Sequence, residues 1–256
     1  MAVKESSASK IKFKGVDALF GLSEEQECVR EIPLDELDTF KNHPFKVFRD
    51  DKMEEMIESI SEYGVLVPGI ARPSNSGEKD YELVVGHRRK YACRELGLKT
   101  MPVIIRDMSD DEATVVMVDS NIQRENLLYS EKAFAYRMKL EAIKHQGERS
   151  DLTSRQVGEK SQTSIQLVAS QAGESQRQVQ RYIRLTELIP ELLDMVDEKK
   201  IALNPAYELS FLKKEEQRDL LDAMDSEQAT PSLSQAQRLK KYSQEGHLTL
   251  DMMRVI

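Results

Sequence analysis

Two rhythms of apolar spacing divide this 256-residue chain. From Cys28 to about residue 125, short apolar runs alternate with helical periodicity, whereas beyond Leu128 every apolar pattern is helical. In the first part, Val29, Ile32 and Leu34 predict a short strand that leads to a loop around Asn42 and Pro44. Met53, Met56, Ile57 and Ile60 fall at i, i+3, i+4 and i+7, one face of a helix, behind capping-box spacing at Asp51 and Glu54. That helix stops at Gly64. Strands are expected over Val65 to Arg72, Tyr81 to Val85 and Met101 to Arg106, with the turn residues Ser74 to Gly77 between the first two. A helix from about His87 to Leu96 ends at Gly97, and Ser109 with Glu112 opens another that runs to about Arg124.

In the second part, Ser130 to about Gln146 reads as an amphipathic helix and Gly147 to Asp151 as a polar break. Thr153 with Gln156 starts a further capped helix, and Asn204-Pro205 reads as a cap followed by a first-turn proline. Asp225 to Ser234 has the texture of a linker. The closing run Leu248, Leu250, Met252, Met253, Ile256 reads as the start of a missing or truncated C-terminal region. The expected organisation is a flexible arm over 1–27, an α/β module over 28–128, a helical domain over 129–225, and linker with further sequence over 226–256. The fold class is α+β: a small α/β module followed by an all-α domain.

The sharpest local pattern lies between Val168 and Leu185. Ile165, Leu167, Val168 and Ala169 form the apolar stripe of a short helix that Gly173 ends. Ser175 and Gln178 have capping-box spacing, so a second helix begins at once. Its inward positions are Val179, Ile183 and Tyr182, and its other face carries Gln176, Arg177, Gln180, Arg181 and Arg184. This is helix-turn-helix spacing. A helix with Arg and Gln outward can meet phosphates and read guanine or adenine edges in the major groove of double-stranded DNA. A plain helical hairpin with a solvated basic face has similar spacing, but Ser175 to Arg184 contains three arginines and no acid in a chain of net charge −8. Global acidity does not exclude a DNA partner, because phosphate contacts need only a local basic face.

Composition closes off other classes. Cys28 and Cys93 are far apart, and the four histidines add no zinc spacing, which points to a reduced, intracellular setting. No apolar run approaches the roughly 20 residues of a membrane span, and the polar N-terminus lacks a signal-peptide core. A cytoplasmic location without membrane attachment is expected.

Chemistry also gathers in the first part. Val85-Gly86-His87-Arg88-Arg89 passes from a strand through glycine into a helix start, where unpaired N–H groups and adjacent cations can hold an anion. The competing readings are a surface basic patch, or Arg88 and Arg89 paired with nearby acids such as Glu82. Gly64-Val65-Leu66-Val67-Pro68 is a glycine turn able to offer backbone donors to a base or ribose. Asn121 and Arg124, at i and i+3 near a helix end, are suited to a phosphate and its metal ion.

Taken together, Gly64-Val65-Leu66-Val67-Pro68, Gly86-His87-Arg88-Arg89 and Asn121-Ile122-Gln123-Arg124-Glu125-Asn126-Leu127, followed by a helix-turn-helix, resemble the ParB family of chromosome and plasmid partition proteins. The match covers roughly residues 28 to 215. The resemblance implies a ParB/sulfiredoxin-like α/β module, binding of CTP and Mg²⁺, and a clamp that closes around DNA after loading at a palindromic site. It implies that Gly86, His87, Arg88 and Arg89 surround the triphosphate, that Gly64 and Val65 line the nucleotide, and that Asn121 and Arg124 lie near phosphate and metal, with Asn121 the metal ligand. Ser175, Gln176, Arg177, Gln180, Arg181 and Arg184 would contact DNA. It further implies a homodimer, a Walker-type partition ATPase as partner, and association with the nucleoid or a plasmid.

Two departures bear on hydrolysis. Many members carry Glu where this chain has His87, and Glu directly before the asparagine, where it has Ser120. A carboxylate there would position metal or water, so the resemblance implies CTP binding more strongly than a slow CTPase. A sulfiredoxin-type reductase would need Cys at Gly86. The other reading is a plasmid or mobile-element regulator, acting in transcription or copy control, whose α/β module is not gated by nucleotide.

Overall fold

The computed structural model describes residues 28–74, 79–124, 126–151 and 163–256. The expected arm over 1–27, the turn at Asn75 to Gly77 and the capped helix at Thr153 lie outside these residues.

The first half builds a five-stranded sheet from β1 (Val29–Pro33), β2 (Leu37–Thr39), β3 (Gly69–Pro73), β4 (Tyr81–Val85) and β5 (Thr100–Ile105). Their order is β1-β5-β3-β4-β2, with β1/β5 and β3/β4 antiparallel and β3/β5 and β2/β4 parallel. Side chains alternate across a strand, and here both faces are covered. Leu83 joins one buried cluster with Met53 and Ile60 of α1 (Asp51–Tyr63) and with Ala92 and Cys93 of α2 (His87–Glu95). Its neighbour Val84 joins the other, with Ala113, Met117 and Val118 of α3 (Asp110–Ile122) and Ala135 of α4 (Tyr129–Asp151). The module is therefore a sheet between two pairs of helices.

The second half is helical throughout: α5 (Ser164–Ala172), α6 (Gln176–Leu185), α7 (Pro190–Asp197), α8 (Leu203–Leu209), α9 (Lys214–Glu227), α10 (Leu233–Gln244) and α11 (Leu250–Val255). One apolar cluster runs through it, from Ala133 and Tyr136 of α4 to Ala236, Leu239 and Met253. The α+β reading, a small module before an all-α domain, holds. The long helix α4 belongs to both parts, with Ala135 in the module's cluster and Tyr136 in the other.

Several boundaries differ from the expectation. The cap of α1 is Asp50, whose carboxylate accepts from the Met53 N–H at 2.8 Å, so the helix begins one residue earlier than Asp51 as a cap would give. Residues 65–68 are not strand, because a side chain from α2 takes the Val67 and Pro68 carbonyls that a ladder would use. The three-residue β2 escaped notice, being too short to show a period and defined by pairing to β4 alone. Helix α4 continues through Gly147 to Asp151, as an isolated glycine costs a helix only about 1 kcal/mol. Helix α8 is capped at Ala202, which leaves Asn204 and Pro205 inside its first turn, where proline's missing N–H is no loss. Residues 226–256 are not a separate linker region: α9 reaches Glu227, and Ala236, Leu239 and Met253 bury into the same cluster as the helix-turn-helix.

Candidate functional site

The end of β4 and the start of α2 create the first site. Gly86 caps α2 with φ 114 and ψ 19, a left-handed conformation that strains any residue with a side chain. A Cβ there would also meet the Gly69 Cα at 3.3 Å. Gly69 is crowded as well, with a Cβ only 3.1 Å from the Val85 carbonyl oxygen. This pair of glycines lets β3 and the β4–α2 turn approach closely, and no side chain caps the first N–H groups of α2. A helix start of that kind is an anion site in waiting.

Beside it is a cavity of about 150 Å³ lined by Gly86, His87, Arg88 and Arg89, by Ser120, Asn121 and Arg124 from the end of α3, and by His43, Phe45, Val47, Met56 and Val85. Six of the eight expected nucleotide residues thus converge, although the α2 and α3 segments are over 30 positions apart in the chain. Gly64 and Val65 do not line it: Gly64 terminates α1 with φ 71, and the Val65 side chain packs against the α1/α2 cluster. They connect to it through Arg89, whose guanidinium donates to the carbonyls of Val67 at 2.5 Å and Pro68 at 2.6 Å.

Three guanidinium groups share this small space, and each has been given a partner. Arg88 pairs with Asp50 at 2.8 Å, so the acid that caps α1 also anchors the basic turn. That pairing holds the Asp50 carboxyl below the usual carboxylate range. The expected competitor Glu82 is not involved: it binds Arg72 at 2.6 Å. Arg124 donates to the Asn121 side-chain oxygen at 3.4 Å, and the Asn121 amide donates to the Met117 carbonyl at 2.9 Å. Burial lowers the pKa of both Arg89 and Arg124, and Arg88 adds to the effect at Arg124. With Asp50 set against three guanidinium groups, the cluster keeps an excess of positive charge that favours an incoming anion.

Sequence reasoning missed His43, which comes from the loop after β2. Its ring lies 3.9 Å from that of His87, centroid to centroid, and its Nδ1 bonds the Phe45 carbonyl at 2.9 Å. A lone histidine before a proline gave no period or motif to find it by. Cys93, the other reactive group on α2, is buried, and its thiol is pushed up by desolvation, which suits packing rather than redox chemistry.

As a metal centre the donor set is poor. Among the described residues no group of three His, Cys, Asp or Glu could hold a metal ion. The Asn121 oxygen faces Arg124, and Asp50 faces Arg88. These residues do not fit a magnesium ion held by the protein itself, which prefers carboxylate and water oxygens.

The second site is α6. Gly173 closes α5 at φ 68, and the Ser175 hydroxyl accepts from the Gln178 N–H at 3.1 Å, which starts α6 within a three-residue turn. Val179, Tyr182 and Leu185 are buried, while Ser175, Gln176, Arg177 and Gln180 are exposed. The two remaining arginines are partly engaged. Arg181 lies 3.4 Å from the Asn204 oxygen and over the Tyr207 ring. Arg184 turns to the end of α8, donating to the Ser210 carbonyl at 2.9 Å and lying 4.3 Å over the Phe211 ring. The outward face of α6 is thus narrower than its composition suggests: Gln176, Arg177 and Gln180, with Arg181 at its edge.

Both regions match family models, the ParB N-terminal domain over residues 21–122 and the ParB HTH domain over residues 152–245. The nucleoid occlusion protein of Bacillus pumilus is 31% identical over 188 residues, which are 73% of this chain and 58% of that protein. The chromosome-partitioning protein Spo0J of Thermus thermophilus is 30% identical over 203 residues, 79% of this chain and 66% of that protein. This chain therefore spans somewhat less than two thirds of either relative's length. A solved Pnob8-like ParB-N domain shares the fold, with a TM-score of 0.50 at 16% identity over 91% of this chain and 99% of that one. With an N-terminal and a helix-turn-helix model matching in succession along one sequence, this chain belongs to the ParB family.

Proposed function

We propose that this chain is a partition protein that binds a specific double-stranded DNA site through α6 and binds CTP at the head of α2, the nucleotide gating a clamp around DNA. The observation that carries the reading is the cavity itself: three arginines and an uncapped helix start, on the same chain as an exposed Gln/Arg helix face free of acids. At about 150 Å³ the cavity is smaller than the ~300–1,000 Å³ of pockets that bury whole small ligands. It suits a chain of phosphates, with the base outside. The exposed Leu66 and Val67, on the loop that Arg89 holds, offer a base an apolar neighbour.

Phosphate oxygens rather than Asn121 would hold any Mg²⁺ that enters with the nucleotide, since the described residues offer no free carboxylate there. With His87 and Ser120 in place of acids, CTP acts as a bound effector more than as a substrate. The relatives named for chromosome partitioning and nucleoid occlusion support a role on DNA; the homodimer, the Walker-type ATPase partner and the place at the nucleoid or on a plasmid are what the family resemblance implies. No helix among the described residues is long and apolar enough to cross a membrane.

The regulator reading has one observation in its favour: Arg88 and Arg89 already have partners within the chain. Calorimetric titration with CTP separates the two. Binding by the wild type and its loss in Arg89→Ala support gating. No binding by either leaves a regulator without nucleotide control. For the clamp, CTP should increase retention of the protein on closed circular DNA carrying its site, and linearising the circle should release it.

A further inference from the structure

The cavity holds an imidazole pair that the functional reading above does not use. His43 and His87 meet with ring centroids 3.9 Å apart and planes inclined by 46°. Each ring has a buried Nε2 with no hydrogen-bond partner. Such atoms are uncommon in folded proteins and mark strain, function or an absent ligand. At His43 the tautomer follows from geometry: the Phe45 carbonyl can only accept, so Nδ1 carries the proton and Nε2 carries a lone pair. That nitrogen cannot donate to an anion unless a second proton arrives.

We propose that His43 and His87 act as one imidazole pair that takes up a proton when a polyphosphate enters the cavity, making His43 a residue of the site and linking its occupancy to pH. The inference rests on the reading of the cavity as a polyphosphate site. Its charge logic follows from the surroundings. From α2, Arg88, Arg89 and Lys90 approach the pair; from just beyond α3, Arg124; Ser120 and Asn121 are neutral. Among the described residues the acids nearby are engaged: Asp50 with Arg88, and Glu131 of α4 with the backbone N–H groups of Lys46 and Leu128.

The protein's own groups lower the pKa of both rings, chiefly by burial, to about 3 at His87, where His43 and Lys90 add their effect, while Arg124 adds its own at His43. Both imidazoles are therefore neutral at pH 7. A polyphosphate reverses the sign of the local field and supplies acceptors. The bound state then favours imidazolium, with its new N–H donating to a phosphate oxygen. A proton thus supplies positive charge in a cavity whose described lining residues offer no carboxylate to a metal. By linkage, a site that gains a proton on binding binds more tightly as pH falls, by up to about tenfold per pH unit between the pKa values of the free and bound states.

The test is isothermal titration of the full chain with CTP·Mg²⁺ and, separately, with inorganic tripolyphosphate, at pH 7 in buffers of differing ionisation enthalpy. The slope of observed enthalpy against buffer enthalpy counts protons. Wild type should take up between about half and one proton, by the linkage above, and bind more tightly at pH 6.5 than at pH 8. His43→Asn and His87→Gln should bind more weakly and lose most of that uptake. Phosphate protonation is common to all variants and cancels in the difference. Unchanged binding of specific DNA shows that the variants are folded. Equal proton counts in wild type and both variants would overturn the imidazole pair while leaving the polyphosphate site standing. Absence of binding by wild type to either probe overturns both.

Discussion

The head of α2 and the outward face of α6 are both arginine-rich, but the structure treats their arginines in opposite ways. At α2, Arg88, Arg89 and Arg124 are drawn into a small cavity, partly desolvated, and each is tied to a carboxylate, carbonyl or amide oxygen. On α6, Arg177 is exposed and makes no ion pair or hydrogen bond among the described residues. A preorganised, half-buried cluster suits a compact anion whose charges arrive together, because the low local dielectric strengthens each contact. A free arginine on a convex helix suits a polymer read in a groove, where the partner supplies the ordering. The same residue type therefore serves two ligand classes, and its surroundings decide which.

The comparison can be broken at several points. The largest effect is expected from Gly86→Ala, which forces a side chain into a left-handed turn against Gly69. Strain of this kind costs roughly 1–3 kcal/mol, so the urea midpoint should fall and CTP binding should vanish from calorimetry. Arg89→Ala comes next. Removing one buried charged donor is expected to cost about 1.5–3 kcal/mol of CTP affinity, with DNA affinity measured without nucleotide unchanged. Should DNA binding fall equally, the two regions are not separate sites.

Arg177→Ala probes the opposite side, with specific DNA weakened by about 1–3 kcal/mol, the worth of one base contact, and CTP binding untouched. Arg184→Ala is the contrasting control on the same helix. Its bonds to Ser210 and its place over Phe211 predict a loss of stability of about 1 kcal/mol and an unaltered salt dependence of DNA binding. The smallest effect at neutral pH is on stability, and it emerges only as the pH falls. His87 is held neutral, with its pKa lowered to about 3 from 6.5, so the unfolded chain binds the proton first as pH falls. Its contribution is fully present above about pH 6.5 and declines towards pH 3, and His87→Gln should flatten that limb of a thermal melt.

Much of this was legible in the chain, unevenly. The helix-turn-helix was readable almost to the residue, because Gly173, Ser175 and Gln178 are local signals and the two helices are neighbours in sequence. The α2 turn was readable as chemistry, since Gly86 and the following cations announce a helix start. Its companions were not: His43, Phe45 and Asp50 reach it from the segment between β2 and α1 and carry no motif. Gly64 and Val65 misled in detail, because a glycine turn looks the same whether it lines a ligand or pins the loop beside one.

The sequence by itself determined most of the elements, the order of module and helical domain, and the residue types gathered at each site. Those follow from backbone propensity, apolar period and capping, all of which act within a few residues. Only the tertiary structure decided which arginines are free, that Arg184 braces α8, that residues 233–256 belong to the helical core, and that two histidines 44 positions apart share a cavity. These outcomes depend on which surfaces are buried against each other. Burial and long-range pairing are properties of the packed chain that no short window of residues contains.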